Sequence, residues 1–439
     1  MHPSRRTLAI VAVGTLLAVV PVLVDPSLWM LWVVAWALLF AALVVDLIGL
    51  ARPADVAHRV VMPDTLYMGE ATPMNLHLRW GPTSGRRRAV RAVVKLDLSP
   101  SLYAVEPQAM AIGQGDGKVE VPLRPRRRGT AQVESAWLRW SGPLGLLERT
   151  TEIELAEDID AVPNLRAVRQ LAARFASQNE LHQGLRIERY LGDGSEFDSL
   201  REFMPGFDRR SIDWKASARH TKLLSRHFRA ERNRQIVLAV DTGHLMAEPL
   251  DGLPRLDHAI HAALLLAFFS ARAGDRIGLY AFDERPGVFA APRGGAGAFR
   301  SMLAVSGGLA YSDAETNFTL GLTDLMQRLT RRSLVVVLTD FTDSVTAELM
   351  VDNLTRLAAR HLVVFVSLRD PLLARTAAVE PLDLVSLQRA VVADTLVRER
   401  ETVVARLRRR GILCIDAAPG EVGMQLLDRY LEIKRREMI

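Results

Sequence analysis

Two uncharged apolar runs open the chain, Leu8–Val24 and Leu28–Val45, with Asp25-Pro26 between them. The first is just long enough to cross a bilayer. The second carries Trp29, Trp32 and Trp36 near its start, where interfacial aromatics belong. Together they predict a transmembrane helical hairpin over residues 1–52 with a very short turn. Arg5 and Arg6 ahead of the first run also fit a secretory signal. A second apolar run follows directly, however, with no small-residue cleavage site between. Basic residues flank the pair, Arg5 and Arg6 before it and Arg52 and Arg59 after it, while the turn holds only Asp25. The positive-inside rule then puts both ends and all that follows in the cytoplasm, on an inner-membrane protein.

From 55 to 160 the pattern changes to short alternating stretches broken by Pro and Gly, such as Met74–Trp80, Ala89–Leu98, Lys118–Leu123 and Ala131–Trp140. Strands at this spacing predict a small β-sandwich. Residues 161–232 are polar and less periodic: a helical stretch, Leu165–Asn179, leads into Gly-rich loops. From 233 to 439 strands and helices alternate. Strands are expected at Gln235–Thr242, Arg276–Phe282, Leu334–Asp340, Leu362–Leu368 and Ile412–Asp416, with an edge strand at Gly287–Ala291. Helices fill the intervals: Leu256–Ala273, Ala296–Val305, Leu320–Arg331, Thr346–Arg360, about 384–410, and Val422–Arg436. Continuous Val, Ile and Leu runs mean strands buried on both faces, so the class is α/β with a parallel, Rossmann-like sheet. Right-handed crossovers put all strand ends, hence Asp241 and Asp340, on one rim, where such sheets bind ligands.

Composition narrows the chemistry. A net charge of +6 comes from scattered basic residues, and only 6% of residues are aromatic, which argues against a nucleic-acid platform. The single cysteine, Cys414, excludes an internal disulfide framework and a cysteine zinc site; it reads as a small buried strand residue. Neither a GxxxxGK[ST] loop nor a GxSxG elbow occurs. Arg124–Gly129 is a basic cluster that reads as a solvated turn near anionic lipid. His258 and His261 share a helix face without a third ligand, so both are expected to be satisfied helix histidines.

The block Gly192–Phe203, Pro205–Ser217 and Leu224–Glu231 resembles the signature of the bacterial domain-of-unknown-function family numbered 58. Arg126–Gly129, Gly142-Pro-Leu-Gly-Leu146 and Tyr430–Arg435 fit that family's lead-in and ending. The resemblance implies two membrane helices, a β-rich segment and a von Willebrand factor A-like domain, with a gene neighbourhood of MoxR-type AAA+ ATPases and an assembly role. Such domains often hold Mg²⁺ through a first loop reading Asp-x-Ser-x-Ser, a Thr and a second Asp; oxygen donors on separate loops suit that ion. Here Asp241, Thr316 and Asp340 match, but Gly243 and Leu245 replace both serines. A degenerate adhesion site with weak Mg²⁺ binding is the expectation, with Glu315, Asp343 and Asp283 near the same rim. The alternative is that Asp241 caps a helix or pairs with an arginine.

Asp208, Arg209, Arg210, Asp213 and Trp214 have two readings: a partner-binding surface, or Arg–Asp pairs and a buried Trp that dock this segment on the sheet, the second being preferred. The sequence therefore predicts a non-catalytic, membrane-anchored scaffold that binds a protein partner through the rim, and the resemblance implies a MoxR-type AAA+ ATPase as that partner. A metal-assisted hydrolase using the same carboxylates is the alternative.

Overall fold

The computed structural model describes residues 1–17, 29–50, 52–80, 90–112, 117–182, 191–203, 212–220, 222–229, 234–342, 344–380 and 382–438. The chain folds as two units, Met1–Val162 and Pro163–Ile439.

In the first unit the helix Trp29–Gly49 is apolar on every side and leaves Leu38, Phe40 and Ile48 exposed. Its stretch Trp32–Gly49 is long and apolar enough to cross a membrane. The helix Arg5–Leu17 covers only the first part of the other apolar run, whose remainder lies outside the described residues. Where the two helices are described they run against each other: Trp32 Nε1 donates to the Gly14 carbonyl at 3.3 Å.

The β-rich part consists of two sheets. One is three-stranded and antiparallel, built from Val56–Val61, Thr72–Trp80 and Gly117–Leu123. The other centres on the long strands Gly129–Ser141 and Leu147–Val162, and extends through Val90–Leu98 and Gln108–Ile112. Met74, Leu76 and Leu78 in the first sheet, and Leu138 and Trp140 in the second, alternate with exposed or half-buried neighbours and form the buried face.

The turn between the long strands is held by the N-terminal helices. Asp46, fully buried, accepts from the N–H groups of Leu144 (2.6 Å), Leu146 (2.8 Å) and Leu147 (2.7 Å). Ser4 Oγ donates to the Gly145 carbonyl at 2.7 Å, and the Leu146 carbonyl accepts from Ser4 N and Thr7 Oγ1. Gly145 has φ +68°, a left-handed conformation that glycine adopts without cost. A Cβ at Gly142 would run into the Asp46 carboxylate.

The second unit begins with the helix Leu165–His182 and a hairpin of Leu191–Glu202 with Leu224–Arg229. The hairpin occupies residues read from the sequence as loops. The Gly192–Ser195 cluster falls at the register shift between Leu191 and Glu196, so these glycines mark an irregular strand. An α/β sheet follows: β1 Gln235–Asp241, β2 Arg276–Phe282, β3 Pro286–Arg293, β4 Leu334–Leu338, β5 Leu362–Leu368 and β6 Leu413–Ala417. Their order is β3-β2-β1-β4-β5-β6, with only the edge strand β3 antiparallel. The expected mixed α/β class with a parallel Rossmann-like sheet is therefore met.

Helices α1 Arg255–Arg272, α2 Ala296–Gly307, α3 Phe318–Arg328, α4 Ser344–Ala358, α5 Pro371–Ala378, α6 Leu384–Arg409 and α7 Val422–Arg435 flank this sheet. Alternate residues of β1 feed opposite cores. Ile236, Leu238 and Val240 pack with α1 and α7, while Val237 and Ala239 pack with α3, α4 and α6. Strand β4 ends at Leu338, two residues short of expectation; Thr339 N still donates to the Val366 carbonyl of β5 at 3.2 Å, while the side chains of Thr339 and Asp340 bond across the rim.

Candidate functional site

The carboxyl ends of β1 and β4 bring Asp241, Thr316, Thr339 and Asp340 to one rim. Asp241 closes an uninterrupted buried strand and is itself 1% exposed. Its Oδ1 accepts from Gly243 N at 2.8 Å and Thr316 Oγ1 at 2.7 Å; its Oδ2 accepts from Thr339 Oγ1 at 2.5 Å. Thr316 reaches it from the loop before α3, next to Asn317, whose side chain caps that helix through Leu320 N at 3.0 Å. Burial pushes the Asp241 carboxyl from its ordinary 3.8 up to about 6, against the three hydrogen bonds and with a further upward push from the charge of Asp283.

Asp340, 4% exposed, has a different environment. Its Oδ2 pairs with Arg255 Nη1, and its Oδ1 accepts from Arg400 Nη1 at 2.7 Å and Phe341 N at 3.0 Å. Arg255 occupies the first position of α1, where the helix dipole disfavours a cation; the Asp340 carboxylate offsets that. Arg400 reaches in from α6 and joins three strand ends. Its Nε donates to Asp416 Oδ1 at 3.0 Å, its Nη2 donates to the Leu368 carbonyl at 3.0 Å, and its guanidinium lies 5.1 Å from the Phe341 ring centre. Burial works against the Arg400 charge, but Asp340 and Asp416 outweigh it and raise its pKa. Beside this network opens a cavity of about 120 Å³ lined by Arg255, Asp340, Phe341, Leu373, Leu396 and Arg400, among others.

These groups do not fit a divalent cation as they are placed. Mg²⁺ needs near-octahedral oxygen donors at short range, whereas both Asp340 oxygens already face guanidinium groups. Gly243, which stands where the first adhesion-site serine is expected, is close-packed: a Cβ there would run into the Thr316 hydroxyl. Among the described residues no group of three or more His, Cys, Asp and Glu is arranged to hold a metal. The alternative that Asp241 pairs with an arginine is not met: Asp241 is held by two hydroxyls and a backbone N–H, and it is Asp340 that carries the arginine pairs.

Of the other candidate residues, Asp208, Arg209, Arg210 and Asp343 lie outside the described residues. Asp213 accepts from Lys215 N and Ala216 N, both at 3.0 Å, at the start of the short helix Trp214–His220. Trp214 is 69% exposed, which corrects the expectation of a buried docking Trp: it opens a surface helix. The helix histidines are satisfied as expected. His258 Nε2 bonds the Leu250 carbonyl at 2.8 Å, and His261 Nε2 accepts from Asn164 N at 3.0 Å. Cys414 is buried, again as read. Arg255, Thr339, Arg400 and Asp416 escaped the sequence reading. Arg255 alone left a signal there, as a cation opening an otherwise apolar helix.

Comparison with known proteins adds the following. A stretch of 119 residues is 29% identical to the uncharacterized protein YeaD of Bacillus subtilis (strain 168), covering 26% of this chain and 28% of that one. A stretch of 182 residues is 27% identical to the uncharacterized protein Rv1480 of Mycobacterium tuberculosis (strain H37Rv), covering 41% of this chain and 56% of that one. The matches thus span about half or less of these relatives. Among solved structures, the SpRpn10 VWA domain aligns at 11% identity and TM-score 0.28, over 45% of this chain and 94% of that one. The conserved hypothetical protein BatB from Bacteroides thetaiotaomicron aligns at 11% identity and TM-score 0.31, over 46% and 99%. At these scores the architecture rests on the strand order given above. Residues 199–409, the stretch that carries Asp241, Thr316, Asp340 and Arg400, match the family model described as protein of unknown function DUF58.

Proposed function

We propose that the protein is a membrane-anchored, protein-binding scaffold whose α/β unit engages a partner at the rim of Asp241, Thr316 and Asp340, with a MoxR-type AAA+ ATPase as the partner class. The state of the rim acids carries this reading. Asp241 accepts three hydrogen bonds and Asp340 is paired with two guanidiniums, so neither is poised to take a proton from an attacking water. Both acids are buried with their bonds already made, so they shape the rim loops, and what a partner meets there is exposed residues such as Glu248 and Glu315. The bonded state of the acids also favours the scaffold over a metal-assisted hydrolase at the same rim.

For the anchor we propose two spans in the inner membrane, with both units cytoplasmic. The support is local: Ser4 and Thr7 at the start of one helix, and Asp46 near the end of the other, bond the same turn, as the two ends of a hairpin on one side of a bilayer do.

The test is co-purification from native membranes followed by mass spectrometry, comparing wild type with Glu248→Arg/Glu315→Arg. Both side chains are exposed at the rim loops, so the double variant is expected to fold normally and lose the partner. Recovery of the same partners at wild-type levels would refute the rim as the interface.

A further inference from the structure

The turn Gly142–Leu147 is irregular backbone placed against the end of the apolar helix, and its polar groups are provided for. Every N–H in it is donated: Gly142 to the Leu147 carbonyl, Gly145 to the Gly142 carbonyl, and Leu144, Leu146 and Leu147 to Asp46. Pro143 has none to give. The carbonyls of Gly145 and Leu146 accept from Ser4 and Thr7. Donors that all find partners within the protein suit irregular backbone placed next to the apolar region, where water is scarce.

Asp46 itself lies within the stretch Trp32–Gly49 that is fit to cross a membrane. Its neighbours Val45, Leu47 and Ile48 are 57%, 47% and 80% exposed, the surface a lipid-facing helix presents. The turn bonded to Asp46 sits at the level of these side chains. Its own outward group is apolar: Leu144 is 49% exposed. On the other side a guanidinium nitrogen of Arg6 lies 3.7 Å from where a Gly145 Cβ would be, a cation suited to anionic headgroups.

We infer that the turn Gly142–Leu147 is a membrane-contact element, seated at headgroup depth with Leu144 in the lipid, so that the β-rich part touches the bilayer as well as being tethered to it. The inference rests on the anchoring proposed above, and the experiment separates the two. The full-length protein carrying Leu144→Cys, or Glu134→Cys as a control on the exposed face of the strand Gly129–Ser141, is spin-labelled and reconstituted in vesicles of phosphatidylcholine and phosphatidylglycerol. The native Cys414 is buried, with its thiol pushed up to about 11, and stays unlabelled. The ratio of relaxation by oxygen, which concentrates in lipid, to relaxation by a water-soluble nickel chelate is expected to be several-fold higher at 144 than at 134. Equal ratios in protein that resists alkaline extraction would overturn this inference alone. Release of the protein by alkaline carbonate would overturn the anchoring and this inference with it.

Discussion

Replacing Arg400 by Met keeps most of the side-chain volume of α6 and removes the cation that ties together the ends of β4, β5 and β6. In the wild type this guanidinium donates to Asp340, Asp416 and the Leu368 carbonyl, and it is 18% exposed. Breaking a buried ion pair from one side costs about 3–5 kcal/mol, because the remaining charge loses its partner. Arg255 still bonds Asp340, so the low end applies, ~3 kcal/mol. At about 1.4 kcal/mol per decade, this is roughly a hundredfold rise in the opening equilibrium. Hydrogen exchange followed by mass spectrometry on the intact protein reads that equilibrium locally. Amides of β6 and of the α6 segment around Arg400 are expected to exchange about a hundredfold faster. Amides of the sheet in the first unit are expected to stay at wild-type rates. Arg400→Lys is expected to fail as a rescue, since an ammonium lacks the planar fork that spans two carboxylates and a carbonyl. Adding Asp416→Asn to Arg400→Met removes the stranded charge, since Asp340 keeps Arg255, and should cost less than the sum of the single changes. Wild-type exchange in Arg400→Met, or full rescue by Lys, would refute the role of Arg400 in tying the three strand ends together.

Gly243→Ala drives a methyl into the Thr316 hydroxyl and severs its bond to Asp241; a loss of about 1–3 kcal/mol is expected on chemical denaturation. Mg²⁺ titration is expected to leave the wild-type melting temperature unchanged, and Gly243→Ser alone is expected not to create a response; a saturable rise in either would count against the close-packed rim. The Asp241 carboxyl titrates near 6 in the fold against an ordinary 3.8, so the folded state holds the extra proton between these values. Its contribution therefore improves as pH falls from 7 toward 4, by ~3 kcal/mol at most, a gain that should vanish in Asp241→Asn when denaturation curves are compared across that range. His361 runs the other way: it is 5% exposed, neither ring nitrogen has a hydrogen-bond partner among the described residues, and burial, aided by Arg360, lowers its pKa below 6.5. Its share of stability is intact above pH 6.5 and is lost as pH falls through that value toward the lower folded pKa, so His361→Leu should flatten the acid side of the stability profile.

Much of the α/β unit was readable in the chain because its strands are buried on both faces. An unbroken run such as Leu334–Leu338 admits few other placements, and the rim position of Asp241 and Asp340 followed from where those runs stop. What the rim acids do there was not readable. Arg255 and Arg400 lie 85 and 60 residues from Asp340, and Arg400 sits in a helix so rich in Arg and Glu that it resembles a solvated face. The missing serine at Gly243 was plain; that Thr316 takes up the space depends on how closely two loops approach. Besides Arg255, a second signal was available and missed: Asp370 followed by Pro371 is an N-cap with proline at the first helical position, and α5 starts there. Trp214 misled because a large aromatic in a polar segment suggests burial, a preference that exposed helix starts do not share.

Asp46 and the amides that bind it are 98 to 101 residues apart. During synthesis the apolar helix leaves the ribosome well before the amides that donate to Asp46 exist. Its carboxylate therefore lacks these partners until the strand pair around Gly142 has been made. Completion of this helix and closure of the β-rich part are thus separated in time, and a chain truncated before residue 142 would carry a buried acid whose amide partners do not exist.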